Sequence, residues 1–206
     1  MNNSRVLAIG SLLLQYPSEE IKAVSTDIRH EIAFLDGSDA SDIERFLDWL
    51  DSEELLAAQS HYVSIFDRKR RACLYLSYYL NGDTRRRGMA LVRFKELYSE
   101  FGVTASEEEL PDFLPTVLQF TAAYNNEVGM QVLSEHYSGI EVLHQALVDA
   151  KSPYAFAVLP LLRNIPKSQS ADTDTQRLIT QGVPAELVGL ETFTLQPFSL
   201  GERVGK

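Results

Sequence analysis

The sequence predicts an all-α fold, a single-domain helical bundle of about eight to ten helices. Apolar residues recur every three to four positions in one segment after another, which is the spacing of one helical face. Alternation with a period of two, the pattern of a half-buried strand, is nearly absent before residue 190. With 206 residues, 45% of them hydrophobic, the chain is large enough to bury one substantial core.

The apolar stripes give the helices in chain order, and they lie at residues 6–16, 21–35, 43–50, 55–66, 91–101, 114–124, 133–147 and 153–163. Ser41 is a suitable N-cap for the third stripe, and Asp51 with Glu54 has the spacing of a capping box before the fourth. An Asn-Gly turn precedes the fifth, with Asp83 or Thr84 as the expected N-cap.

The end of the chain differs from the rest in composition. Residues 1–165 form the predicted helical domain, whereas 166–206 are expected to be a polar linker and a poorly ordered C-terminal tail. Four apolar residues of this tail are expected either to stay loose or to dock on the helices or on a partner: Phe193, Leu195, Phe198 and Leu200.

Charge is unevenly distributed along the chain. The net charge is −10, yet residues 61–100 carry nine basic and four acidic residues. The acidic remainder repels phosphate backbones, so no nucleic-acid partner is expected. A helical nucleic-acid-binding regulator that uses Arg68–Arg71 and Arg85–Arg87 stays as an alternative, and steep salt dependence would identify it.

Catalytic and metal-binding motifs are missing from the sequence. The single cysteine, Cys73, allows neither an internal disulfide nor a thiol-rich metal site. Glycine-rich phosphate loops, GxSxG and HExxH are absent, and the four histidines lack metal-ligand spacing. We expect no enzyme activity, no cofactor and no metal; an enzyme that uses Asp112 with a histidine is the weaker alternative.

Targeting signals are equally weak. The apolar N-terminal run lacks a signal-peptide cleavage site and is followed directly by Pro17, Glu19 and Glu20. No apolar run in the sequence approaches the roughly 20 residues that a membrane span requires. Arg85–Arg87 lie in mid-chain, where a twin-arginine export signal does not function. A cytoplasmic location without stable membrane insertion is expected.

Tyrosines cluster in the stretch from Tyr62 to Gly88. Tyr75, Tyr78 and Tyr79 stand at i, i+3 and i+4, so they share one helical face after the helix that ends near Phe66. They either line a groove for a peptide or belong to the core with their hydroxyls at the surface.

A rigid acidic corner follows at residues 107–120. Asp112 can cap a helix, and Pro115 fits its first turn, where a missing N–H costs little. Glu109 and Asp112 would set the orientation of a bound peptide, and Leu114 and Leu118 would add to the apolar groove.

The segments FDRKRRACLYLSYYLNGDTRRRGMALVRFKELY and ELPDFLPTVLQF resemble the nitrate reductase delta-subunit family, the NarJ-type chaperones among redox enzyme maturation proteins. The similarity extends over roughly residues 5–165. It implies an all-helical chaperone that performs no chemistry of its own. Such proteins bind the N-terminal segment of the apo nitrate reductase catalytic (alpha) subunit and support molybdenum cofactor insertion before membrane docking.

The resemblance also implies an alternative client, a dimethyl sulfoxide or trimethylamine oxide reductase. Relatives of that type often carry Pro-Asp-His where this chain has Pro111-Asp112-Phe113, which puts a histidine contribution in doubt. We expect a monomer or weak homodimer. The expected peptide-binding residues are Tyr62, Phe66, Tyr75, Tyr78, Tyr79, Glu109, Asp112, Leu114, Pro115 and Leu118.

The arginines are expected to brace the wall of the groove. Arg85, Arg86 and Arg87, together with Asp83, would hold it by pairing across the fold with carboxylates such as Glu107–Glu109. Cations in a first helical turn cost up to about 0.3–1 kcal/mol each, which indicates either compensation by nearby acids or a functional use.

Overall fold

The computed structural model describes residues 2–106, 108–124 and 126–185, and this part of the chain contains twelve α-helices and no β-strand. The helices are α1 (Asn2–Leu13), α2 (Glu19–Ala23), α3 (Ser25–Ile32), α4 (Gly37–Ser52), α5 (Leu55–Tyr62), α6 (Leu76–Asn81), α7 (Arg85–Glu100), α8 (Leu114–Ala123), α9 (Asn126–Glu135), α10 (Tyr137–Asp149), α11 (Tyr154–Asn164) and α12 (Ala171–Gln181). A π-helical turn (Val63–Asp67) and a 3₁₀ turn (Arg70–Ala72) follow α5.

The predicted all-α class is confirmed. The helix count exceeds the predicted range because two of the eight stripes are divided and two further helices, α6 and α12, lie outside the stripes. The stripe at 21–35 divides at Val24 into α2 and α3. The stripe at 133–147 divides at His136, whose φ of −100° and ψ of 9° lie outside the helical region. Apolar periodicity continues across both breaks, so the sequence pattern does not reveal them.

The core forms where α1 packs against α8 and α11, with α10 beside them. Leu7 and Leu14 of the first helical region and Leu118 of α8 are fully buried there. α10 contacts α6, α9, α11 and α12, and its Gly139 lets the ring of Tyr79 approach the helix backbone. A Cβ at position 139 would lie 2.8 Å from Cδ2 of Tyr79.

Two of the predicted caps are wrong. α4 begins at Gly37, and its N-cap is Asp36, whose side chain accepts a hydrogen bond from Ser38 N at 3.0 Å. Ser41 and Asp51 therefore lie inside α4, while Glu54 precedes α5 without a side-chain cap. Thr84 is the N-cap position of α7, as expected, although its side chain makes no capping hydrogen bond.

The expected polar linker is partly helical. α12 buries Ala171, Thr175 and Leu178, which are spaced for one face, and the Thr175 hydroxyl donates to Glu141 Oε2 at 2.6 Å. The apolar pattern of the sequence does not reveal this buried face of α12, because two of its three residues are small or polar. The rest of the predicted tail, residues 186–206, lies outside the described residues.

Across residues 2–106, 108–124 and 126–185, no helix combines the length and the apolar character that crossing a bilayer requires.

Candidate functional site

A groove of about 490 Å³ opens between the residues that follow α1, the π-helical turn and the start of α8. We call it the aromatic groove, and its lining residues are Gln15, Tyr16, Tyr62, Phe66, Asp67, Leu74, Tyr75, Glu109, Phe113, Pro115, Thr116 and Gln119. Five aromatic rings and two carboxylates therefore face one concave surface, which suits a ligand with apolar and cationic groups.

The floor of the groove is a single antiparallel β-bridge between Tyr75 and Phe113. Leu76 N donates to Asp112 O at 3.0 Å, and Leu114 N donates to Leu74 O at 2.7 Å. This pairing places the rings of Tyr75 and Phe113 side by side, with centroids 5.6 Å apart. Two segments distant in sequence are thus joined through their backbone atoms.

One wall comes from the π-helical turn that extends α5. A π turn widens the helix by one residue, and such turns often occur at functional sites. Here Ile65 is buried in the core, while Phe66 and Asp67 line the groove. Tyr62 packs between Phe66 and Tyr16, with ring centroids 4.6 Å and 5.4 Å away.

Hydrogen bonds fix the tyrosine hydroxyls of the groove. Tyr75 Oη donates to Glu109 Oε1 at 2.8 Å, and Tyr62 Oη donates to Leu14 O at 3.2 Å. Burial, followed by the bond to Glu109, raises the pKa of Tyr75, and burial together with Asp67 raises that of Tyr62. Both phenols therefore stay protonated and act as donors near neutral pH.

Half of the ten expected peptide-binding residues meet in this groove. Their positions in the fold explain why, since the π turn, the β-bridge and the first turn of α8 converge there. The five are Tyr62, Phe66, Tyr75, Glu109 and Pro115. Pro115 also occupies the first turn of α8, as predicted.

The remaining apolar candidates lie elsewhere. Leu114 and Leu118 are fully buried in the core, where no ligand reaches them. Tyr79 is also buried, and its hydroxyl donates to Arg71 O and Cys73 O. Tyr78 lies with Tyr79 at a separate cavity of about 170 Å³, which Val142 of α10 and Leu178 of α12 also line.

Asp112 is a structural residue in this fold. Its side chain is 0% exposed, and Oδ2 accepts hydrogen bonds from Ser77 N at 3.0 Å and Ser77 Oγ at 2.6 Å. Ser77 belongs to the first turn of α6, so Asp112 caps α6 across the chain. The N-cap position of its own helix, α8, is Phe113.

Arg87 of the arginine cluster lies beside the groove residue Tyr75. Arg87 pairs with Asp83 at 3.1 Å, and its Cζ lies 5.7 Å from the ring centroids of both Tyr75 and Tyr78. Glu109, expected as an arginine partner, instead accepts from Tyr75, and Glu107 lies outside the described residues. Arg86 lines a different cavity, between α7 and α9.

Sequence reasoning missed Tyr16 and Phe113 as groove residues. Tyr16 is half exposed, and Tyr62 packs edge-on against its ring. A large aromatic residue next to Pro17 at the end of a stripe was the available signal. Phe113 stands where the wider group often carries a histidine, and its ring supplies apolar surface to the groove.

Within the described ranges, no group of three or more His, Cys, Asp and Glu side chains has the arrangement of a metal site. Burial raises the pKa of the Cys73 thiol, so the thiol form predominates near neutral pH.

The family comparison covers most of the helical part of the chain. The family model described as "Nitrate reductase delta subunit" matches residues 35–159. The nitrate reductase molybdenum cofactor assembly chaperone NarJ of Escherichia coli K12 is 31% identical over 152 residues, which are 72% of this chain and 64% of that protein. The Bacillus subtilis protein given the same functional name is 31% identical over 172 residues, 81% of this chain and 92% of its own length.

A longer relative and a solved structure extend the comparison. The nitrate reductase-like protein NarX of Mycobacterium tuberculosis H37Rv is 37% identical over 153 residues, 74% of this chain, but the chain spans only 23% of NarX. A crystal structure from Archaeoglobus fulgidus, assigned as a redox enzyme maturation protein, has a TM-score of 0.56 at 24% identity and covers 77% of this chain and 91% of its own. That structure supports the helical fold. Together with the family match, these similarities show that the chain belongs to the nitrate reductase delta-subunit family.

Proposed function

We propose that this protein is a cytoplasmic assembly chaperone for a molybdenum nitrate reductase. In this proposal it binds the N-terminal segment of the apo catalytic subunit, supports cofactor insertion without chemistry of its own, and then releases its client. Family membership and the functional names of the Bacillus subtilis and Escherichia coli relatives support the chaperone role.

The observation that carries the binding part of the proposal is the aromatic groove. Its volume of about 490 Å³ accommodates several side chains of a peptide, and Tyr16 at its edge is half exposed. Asp67 and Glu109 give the groove a negative side. A client segment with apolar side chains and at least one Lys or Arg therefore fits best.

The groove also suits reversible binding. Apolar burial contributes about 25 cal/mol per Å² before the cost of ordering the peptide. A short segment in an open groove is therefore expected to bind with micromolar or tighter affinity. Such affinity lets the client leave when cofactor loading changes its fold.

Calorimetric titration with a peptide that covers the N-terminus of the catalytic subunit tests the proposal. Phe66→Ala and Tyr16→Ala each remove one ring from the groove and should weaken binding about tenfold, equivalent to about 1.4 kcal/mol. Phe34→Ala is the matched control, because Phe34 is 61% exposed and lies outside the groove. Its affinity should equal that of the unmodified protein.

Three other outcomes have defined meanings. Equal weakening by Phe34→Ala would show that the ring substitutions act through general stability. Tighter binding of the corresponding dimethyl sulfoxide or trimethylamine oxide reductase peptide would reassign the client. Absence of peptide binding, together with salt-sensitive binding of duplex DNA or RNA, would favour the nucleic-acid alternative.

A further inference from the structure

A second cavity, of about 450 Å³, lies between α7 and α9 and is separate from the aromatic groove. We call it the α7–α9 cavity. Arg86, Met89 and Arg93 line it from α7, and Glu135 and His136 line it from the end of α9.

α7 presents an apolar face that no other described helix covers. Among its 16 residues only Phe94 and Tyr98 are buried. Met89 is 60% exposed and Val92 is 53% exposed, which is unusual for large apolar side chains on one helix. In many proteins an exposed apolar helix face binds a partner, and the charge around the face indicates the kind of partner.

The charge of α7 favours an acidic partner. The helix carries five basic and two acidic residues, and two of its arginines line the cavity. Glu135 is the one acidic residue of the described lining, so the two arginines leave this lining net positive. The cavity edge formed by Arg86 and Arg93 thus attracts carboxylates.

After α12, the described part of the chain ends close to this cavity. Gly82, with φ of +58°, forms the turn between α6 and α7, and the carbonyl of Pro184 packs so closely on it that a side chain there would collide. Leu80 and Asn81, directly before this turn, line the α7–α9 cavity. The described part of the chain therefore ends one residue after its contact with Gly82.

The composition of residues 186–200 matches the cavity. The segment ELVGLETFTLQPFSL has seven large apolar residues, two glutamates and no basic residue. Fully extended, 15 residues span about 50 Å at 3.3 Å per residue, whereas α7 is about 24 Å long. The segment is long enough to follow the whole cavity.

We propose that residues 186–200 bind intramolecularly in the α7–α9 cavity. Their apolar side chains cover Met89 and its neighbours, and Glu191 pairs with Arg93. The segment acts as an internal ligand that any other occupant has to displace. This inference is independent of the client and of the aromatic groove.

Disulfide trapping in the full-length chain tests the proposal. In a Cys73→Ser background, Met89→Cys is combined with Phe193→Cys, and the rate of disulfide formation under mild oxidation is measured at low protein concentration. The matched control combines Phe193→Cys with Leu56→Cys, since Leu56 is 74% exposed on α5 and lines neither cavity. The Met89 pair should form an intramolecular disulfide at least about ten times faster.

Charge reversal sharpens the same measurement. Arg93→Glu should slow trapping, and adding Glu191→Arg should restore it; slowing without restoration would overturn the assigned ion pair. Ala90→Cys, also in the cavity, replaces Met89→Cys if that variant folds poorly. Equal rates for the Met89 and Leu56 pairs, or disulfide-linked dimers as the main product, would overturn intramolecular binding.

Discussion

At the scale of single residues, Asp112 shows how one side chain connects distant parts of the chain. It accepts two hydrogen bonds from Ser77 at the start of α6, and the backbone carbonyl of Asp112 accepts from Leu76 N. The carboxylate is buried, so its loss leaves the N–H and hydroxyl of Ser77 without their acceptor.

Asp112→Ala should therefore lower the free energy of unfolding by about 1–3 kcal/mol. Urea denaturation measures this, and a double-mutant cycle with Ser77→Ala should show coupling between the two side chains. Asp83→Ala is the control, because the Asp83 side chain is 77% exposed in its ion pair and should contribute less than about 1 kcal/mol. Independent, additive effects of the Asp112 and Ser77 substitutions would contradict the capping role.

Two helical glycines give a matched pair of predictions. Gly139→Ala places a Cβ 2.8–2.9 Å from three atoms of Tyr79, whose side chain is buried and cannot retreat, so we expect about 1–3 kcal/mol of destabilisation. Gly88→Ala in α7 meets no atom within 4 Å and should stabilise by about 0.5–1 kcal/mol through helix propensity. Thermal and urea unfolding report both; a stabilising Gly139→Ala would rule out the tight contact.

At the scale of helices, α4 and α11 are joined by a charged cluster. Arg163 donates to Asp39 at 2.9 Å and to Asp42 at 2.7 Å, and Asn164 donates to Asp39 at 2.6 Å. Both carboxylates are buried, whereas the Arg163 side chain is 37% exposed. A single guanidinium thus pairs with two buried carboxylates from the edge of the interface.

Arg163→Met should destabilise the fold by about 2 kcal/mol, because it leaves two buried carboxylates without their cation. This value is below the 3–5 kcal/mol for a fully buried pair, since Arg163 is partly solvated. Arg5→Met is the comparison: the pair of Arg5 with Glu31 is exposed and should contribute less than about 1 kcal/mol. Similar losses in both variants, measured by urea denaturation, would contradict the role of burial.

The sequence predicts most helices because their buried faces are large and apolar. It misses α12, whose buried face contains Ala171 and Thr175, and it misses the interruption at His136, across which the apolar spacing continues. The site is predicted in part for a related reason. Spacing places Tyr75 and Tyr79 on nearby turns, but only tertiary packing decides that Tyr75 lines the groove while Tyr79 enters the core.

At the scale of the whole molecule, three partly or fully buried histidines link stability to pH. Burial lowers the pKa of His61, His136 and His144. The ring of His136 packs on Phe94. The hydrogen bond that its Nδ1 donates to Val132 O at 2.8 Å, together with Glu135 and Asp112, only partly opposes the effect of burial on its pKa. The unfolded chain, with histidine pKa values near 6.5, therefore binds protons more readily than the folded chain.

Stability should consequently be retained above about pH 6.5 and fall as the pH drops below it, by up to about 1 kcal/mol per histidine between pH 6.5 and 5.5. Urea denaturation at pH 7.5 and 5.5 measures the difference. His136→Gln should reduce this difference, whereas His30→Gln, at an exposed position, should leave it unchanged. An unaltered difference in His136→Gln would show that His136 does not contribute to the pH dependence.

The β-bridge beneath the aromatic groove holds the backbone of the groove in place independently of the two side chains that it brings together. Its hydrogen bonds use backbone atoms of Leu74, Leu76, Asp112 and Leu114, so they persist whatever side chains stand at positions 75 and 113. Exchanging those two rings for other residues would alter the preferred ligand while the loops remain joined. Under the proposed function, two substitutions in this groove would change the client without a new backbone.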